Sequence, residues 1–89
     1  MHYVYILRSK KDDKLYIGYT RDLKSRFAEH QRGLVTSTRH RAPLELIYYE
    51  GYRSQADAEA REQRLKSSAG ASTALKRRLS NSLRQERLV

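Results

Sequence analysis

The chain has no cysteine and no tryptophan, and only one proline and one phenylalanine among its 89 residues. Without cysteine, disulfides, thiolate nucleophiles and thiolate metal ligands are all excluded. No apolar stretch approaches the roughly 20 residues of a membrane-spanning helix, and the first residues lack the pattern of a signal peptide. The expected address is therefore the cytoplasm, with no membrane partner. Acidic residues are also scarce: 10 Asp and Glu face 19 Lys and Arg, for a formal net charge of +9. A small basic domain of this kind suits a polyanion, most commonly nucleic acid. A mean hydropathy of −0.89 leaves few apolar positions, enough for one modest core.

What is abundant is tyrosine, at seven residues. A buried phenol needs a hydrogen-bond partner, so a core wanting only bulk would use phenylalanine. Tyr3-Val4-Tyr5 and Tyr16-Ile17-Gly18 lie in two alternating apolar segments, residues 3–7 and 14–19, which read as strands. Lys10-Lys11-Asp12-Asp13 interrupts them as the loop of a β-hairpin. A loop of that length pairs Ser9 with Lys14, Tyr5 with Gly18 and Leu7 with Tyr16. Tyr5 and Tyr16 then share one face as diagonal neighbours, and Gly18 leaves room beside the Tyr5 ring. Val4, Ile6, Ile17 and Tyr19 take the other face. A slip of one residue would separate the two tyrosines.

Thr20 is the expected N-cap of a helix running to Arg32, with Asp22 in its first turn and Gly33 as its stop. Leu23 and Phe27 form its apolar stripe. Arg26 and His30 form a second column about 60° around the helix, at the edge of the sheet. That column is either a snorkelling arginine with a surface histidine or part of a site. Residues 33–43 make a basic loop with Arg39, His40 and Arg41 and the hydroxyls of Thr36, Ser37 and Thr38. It reads as a phosphate-contacting segment or as a solvated connection. Residues 44–50 are a third strand, and Ser54 caps a second helix with Asp57 at the capping-box position. On that helix Ala58, Glu62 and Leu65 share one stripe, whereas Glu59 lies off it. A carboxylate there needs a partner, either an arginine or a divalent cation. Residues 67–73 read as a turn. Leu75, Leu79 and Leu83 then mark a third helix over about 72–88, with Lys76, Arg77, Arg78, Arg84 and Arg87 against the single acid Glu86. The order is β-β-α-β-α-α.

Taken together, Tyr3-Val4-Tyr5, Tyr16-Ile17-Gly18-Tyr19-Thr20, Arg26 with His30, and Arg61-Glu62 with Leu65-Lys66 resemble the GIY-YIG nuclease superfamily. The likeness is closest to its short stand-alone bacterial branch. It covers residues 2–66 and includes the basic stretch ending in Arg41-Ala42-Pro43-Leu44. The resemblance implies an α/β (α+β) fold in which a small three-stranded antiparallel sheet is flanked by helices. One nuclease-like domain over 1–89 is expected, with its core in 2–66 and the basic helix beyond.

The implied activity is a metal-dependent endonuclease that hydrolyses phosphodiester bonds in DNA, directed at single strands or at particular structures. The other reading is a basic nucleic-acid-binding module with little or no catalysis. The resemblance assigns catalytic roles to Tyr5, Tyr16, Arg26, His30 and Glu62, with Glu62 holding a single Mg²⁺ or Mn²⁺ ion. Tyr5 is the expected base and Tyr16 its positioning neighbour, with His30 as the alternative base. A phenol titrating near about 10 is a poor base at neutral pH, so Arg26 or the metal is expected to lower it. Arg39, His40, Arg41, Lys14 and Lys66 are the expected contacts to DNA. The chain departs from the family pattern at Tyr3, which replaces a glycine, and at Ser37, where the branch often has tyrosine. Ser67-Ser68-Ala69-Gly70 replaces a frequent aromatic. Asn81, the only asparagine, falls on the presumed outer helix.

Overall fold

The computed structural model describes residues 1–84. Strands β1 (His2–Ser9), β2 (Leu15–Thr20) and β3 (Leu44–Tyr52) form one antiparallel sheet in the spatial order β2-β1-β3. Helix α1 (Leu23–Gln31) and a 3-10 turn (Arg39–Arg41) lie between β2 and β3, and α2 (Gln55–Ser67), α3 (Ala69–Arg78) and α4 (Ser80–Leu83) follow. The central strand β1 is covered on both faces, and Val4, Tyr5, Ile6 and Leu7 are each at most 4% exposed. That is why its sequence shows bulky residues at every position until Arg8. Leu23 and Phe27 of α1 pack on the face of Tyr5, Leu7 and Tyr16. Ala58 and Leu65 of α2, with Leu75 of α3, pack on the opposite face against Val4 and Ile6. No helix among the described residues is long and apolar enough to cross a membrane.

The hairpin register agrees with the sequence: Tyr5 faces Gly18 and Leu7 faces Tyr16. Ser9 N donates to Lys14 O at 2.9 Å, closing the loop. The Ser9 hydroxyl is fully buried; it donates to Arg41 O at 2.5 Å and accepts from the amides of Lys11 and Asp12. This one hydroxyl therefore ties the hairpin loop to the basic segment. Gly18 is required by what lies beside it, because a Cβ there would overlap the ring and hydroxyl of Tyr5.

Three boundaries differ from expectation. Asp22, not Thr20, caps α1: its carboxylate accepts from Ser25 N at 3.1 Å and Ser25 Oγ at 3.0 Å. A charged acceptor outcompetes a hydroxyl here, and these bonds hold the Asp22 carboxyl below its usual value. Thr20 instead braces the preceding turn by bonding to the backbone of Asp22. Gly33, at φ +74, ends the helix as expected and lets Leu34 N bond Glu29 O. Residues 67–73 are not a turn, since Ser68 alone joins α2 to α3, accepting from Ala71 N, and the following alanines are strong helix formers. The expected helix over 72–88 also breaks at Leu79, where Ser80, Asn81 and Ser82 compete with the helical backbone. Its end, with Glu86 and Arg87, lies outside the described residues.

Helix α2 lies across β1 and β2 and is fastened to β3 by charge. Arg61 donates to Glu50 through Nε at 2.9 Å and Nη2 at 3.0 Å. The Glu50 side chain is 13% exposed and also accepts from Tyr48 and Tyr52 at 2.8 Å and 2.5 Å. Burial alone would raise the Glu50 carboxyl, but the bonds from Arg61, Tyr52 and Tyr48 outweigh it and hold the carboxyl low. The same burial and bonding push the Tyr52 phenol up to about 12. A carboxyl so depressed stabilises the fold above the ordinary glutamate range, and that increment is lost as pH falls through its folded value.

Glu50→Gln is accordingly expected to cost about 1–3 kcal/mol at pH 7 in denaturant titrations. The gap to wild type should narrow on acidification below about pH 4.3; equal stabilities at neutral pH would contradict the assignment. Gly18→Ala is expected to destabilise by about 1–3 kcal/mol, because the buried Tyr5 ring must move. An unchanged melting temperature would show that the ring has room after all.

Candidate active site

The inner edge of α1 carries Arg26 and His30, one turn apart, above the tyrosine face of the sheet. Leu23 and Phe27 pack the helix down, and this brings the last turn onto Tyr5 and Tyr16. His30 is 0% exposed and Tyr5 is 1% exposed, so each must find its hydrogen-bond partner inside the protein. They find one another: Tyr5 Oη lies 2.8 Å from His30 Nε2. The other ring nitrogen, Nδ1, lies 2.7 Å from Thr38 Oγ1, and Thr38 is also 0% exposed. The half-buried Tyr16 packs edge-on to the imidazole, with ring centroids 5.1 Å apart, and lies 6.2 Å from the Tyr5 ring. Arg26 sits beside the Tyr5 hydroxyl, half-exposed, and donates to Glu29 at 3.0 Å.

The electrostatics depart from the sequence expectation in one respect. Burial pushes the Tyr5 phenol up to about 12; Arg26 pulls it down and Tyr16 adds to the rise. The arginine does act in the expected direction, but burial of the phenol wins. Burial, and then Arg26, lower the His30 imidazole from its usual value, with Glu29 opposing. Arg26 is held above its usual value chiefly by Glu29. At neutral pH the pair is therefore a neutral phenol against a neutral imidazole, one nitrogen donating and the other accepting.

The remaining sequence candidates lie outside this cluster. Glu62 belongs to α2, in the layer on the opposite sheet face, with its side chain 18% exposed. Its ion pair runs to Lys66 at 3.3 Å, one helical turn on, and the neighbouring Arg61 is committed to Glu50. No group of three or more His, Cys, Asp or Glu suited to a metal ion occurs among the described residues. Arg39 and His40 are exposed and adjacent, with Arg39 Nε donating to His40 Nε2 at 3.2 Å. Arg41 turns inward: it pairs with Asp12 at 3.6 Å and donates to Leu15 O at 3.4 Å, bracing the hairpin. Lys14 is exposed in the hairpin loop, just before β2.

Thr38 is the residue that sequence reasoning misplaced. Among basic neighbours its hydroxyl read as a phosphate contact, yet it faces the interior. The only signal was Val35, an apolar residue in a polar loop, which is 7% exposed and draws the segment into the core. Glu50 and Arg61 were missed as a pair, although Tyr48, Glu50 and Tyr52 alternate along one strand face. Beyond Tyr5 the same face continues into an open groove of about 450 Å³, lined by Tyr3, Tyr49 and Phe27 together with Arg21, Asp22 and Lys24. Tyr3 and Tyr49 meet edge to face, with centroids 5.9 Å apart, and Tyr49 is 54% exposed.

Comparison with known proteins places the chain in a family. The GIY-YIG catalytic domain profile matches residues 1–73. A UPF0213 protein of Natronomonas pharaonis is 45% identical over 67 residues, which span 74% of this chain and 78% of that protein. A UPF0213 protein of Clostridium perfringens is 40% identical over 67 residues, 74% of this chain and 71% of its own length. The solution NMR structure of a UPF0213 protein from Bacillus halodurans has a TM-score of 0.55 at 33% identity, covering 88% of this chain and 83% of that one. With its strands, its tyrosine face and most of its length inside the match, the chain belongs to the GIY-YIG catalytic domain family.

Proposed function

We propose that the protein is a divalent-metal-dependent endonuclease that hydrolyses phosphodiester bonds in DNA. The observation that carries this reading is the buried hydrogen bond between Tyr5 and His30, with Arg26 beside the phenol. Water attacking a phosphodiester needs a proton acceptor, and the phosphoryl oxygens need positive charge. A phenol titrating at about 12 supplies little phenolate at neutral pH. It works instead as a relay. The proton of the attacking water passes to Tyr5 Oη as the Tyr5 proton passes to His30 Nε2. The water oxygen bonds phosphorus, and the bond from phosphorus to the 3′ oxygen breaks. That oxygen takes a proton from solvent, and the imidazole is left cationic. Arg26 donates its planar N–H groups to the oxygens on which charge develops. Tyr16 holds the imidazole and the phenol in register, edge-on to the first and tilted against the second.

Glu62 is the residue that would hold the metal. A single carboxylate suits Mg²⁺ or Mn²⁺, which keep most of their ligands as water and phosphate oxygen. Its ion-pair partner among the described residues is Lys66, itself 48% exposed, on a flexible stem that can turn away. An ion held there would supply positive charge to a phosphate of DNA lying over α2, apart from the Tyr5–His30 pair. Substrate binding draws on the basic surface, with Arg39, His40 and Lys14 exposed for phosphates. The tyrosine groove gives an unstacked base an aromatic wall, with Arg21 and Lys24 flanking Asp22 in its lining. These features favour DNA with unpaired bases over a regular duplex.

The test is incubation of labelled single-stranded, duplex and branched DNA with Mg²⁺ or Mn²⁺. Wild type should cut at least one substrate, and a chelator or Glu62→Ala should abolish the cleavage. Arg26→Ala should slow it by about 100- to 1000-fold. Absence of cleavage on every substrate, or Glu62→Ala cutting as fast as wild type, would sink the proposal.

A further inference from the structure

We infer that Thr38 is a positioning residue that fixes His30 in its Nδ1–H tautomer, so that Nε2 stays free to receive the Tyr5 proton. The inference deepens the nuclease reading and rests on it for its catalytic consequence. It begins from two contacts among three groups that are almost wholly buried. Tyr5, His30 and Thr38 are 1%, 0% and 0% exposed, and they form one chain of hydrogen bonds of 2.8 and 2.7 Å. A neutral imidazole has one N–H and one lone pair, so the chain has two possible polarities. The groups around it choose between them. The titratable and charged groups facing His30 are Tyr5 and Tyr16 from the sheet and Arg26 and Glu29 from α1.

Arg26 is a donor only, and its guanidinium lies beside the Tyr5 oxygen. The lone pairs of that oxygen therefore face a cation, and its proton is directed to the imidazole. A phenol is also a stronger acid than an alkyl hydroxyl and the poorer acceptor of the two. Both facts make Tyr5 the donor to Nε2 and Thr38 the acceptor from Nδ1–H. Once the Tyr5 proton has moved, the same Thr38 oxygen remains bonded to Nδ1–H of the imidazolium, and no group has to reorient.

The position of Thr38 is set by its loop rather than by its own helix. Thr38 N and Arg39 N both donate to Val35 O, and Arg41 N donates to Thr38 O, at 3.1, 2.9 and 2.8 Å. The loop is in turn pinned to the hairpin by Ser9 Oγ on Arg41 O and by Lys10 N on Pro43 O at 2.9 Å. Arg39 and His40, the exposed basic residues, follow Thr38 directly. The segment offered to phosphates is thus also the segment that sets the histidine.

The experiment reads the tautomer directly, by ¹⁵N-edited NMR of the histidine side chains in the full chain at neutral pH without DNA. Wild type should show His30 as the Nδ1–H form, and Thr38→Ser, which keeps the acceptor, should match it. Thr38→Val, of the same shape but without the oxygen, should populate Nε2–H. On any DNA that wild type cuts, the valine variant should lose about ten- to hundredfold in kcat with KM unchanged, and the serine variant should restore it. Nε2–H in the wild type, or an unchanged tautomer in Thr38→Val, overturns the inference. Should Thr38→Val not fold, the wild-type spectrum still decides. A tautomer as expected in a protein that cuts no DNA would leave the Thr38 assignment standing and remove the nuclease reading.

Discussion

A phenol and an imidazole buried side by side in a small basic protein impose a condition that much of the fold then meets. Each costs free energy when hidden from water unless its polar atoms are paired. Tyr5 lies on the central strand, 1% exposed, and His30 on the last turn of the helix packed above. Their 2.8 Å bond fixes how far α1 stands from the sheet at that end. Gly18 follows from the same condition, since the phenol occupies the space a side chain would take on the facing strand. So does the turn at Gly33, which sends the chain back across the helix end and delivers Thr38 to the second ring nitrogen.

The opposite face of the sheet is built on different physics. There α2 and α3 bury aliphatic side chains against Val4 and Ile6, and one ion pair, Arg61 with Glu50, fixes the helix laterally. Two tyrosine hydroxyls complete the shell of Glu50, so the carboxylate is satisfied as well as paired. The two faces divide the work. One supplies rigidity, and the other holds titratable groups close together with an opening toward Tyr16, Arg26 and the tyrosine groove.

Much of this was legible in the residues. The hairpin register followed from the length of one polar break and from tyrosine alternating with glycine, because a slip of one residue would send one phenol to the other face. The Gly33 stop and the Ser54 cap were equally local, and they were read correctly for that reason. His30 was harder. Helical geometry placed it at the flank of the apolar stripe, but its complete burial goes with its bond to Thr38, in a loop that returns from beyond the helix. Thr38 itself carries no periodic signal, and its basic neighbours pointed the other way. The Glu50–Arg61 pair joins a strand to a helix across a turn and becomes visible only once both elements are in place. The C-terminal leucines had helical spacing, yet Ser80-Asn81-Ser82 decided where the helix broke.

The central claim is that the Tyr5 hydroxyl handles the proton of the attacking water through His30. Tyr5→Phe removes that oxygen and leaves the ring that fills the space beside Gly18. The direct measurement is the single-turnover rate of DNA cleavage by Tyr5→Phe and wild type at saturating metal, with Tm taken on the same samples. The account predicts a rate about 100-fold or more below wild type in a protein that remains folded. A folded Tyr5→Phe protein that cuts DNA at the wild-type rate would contradict it.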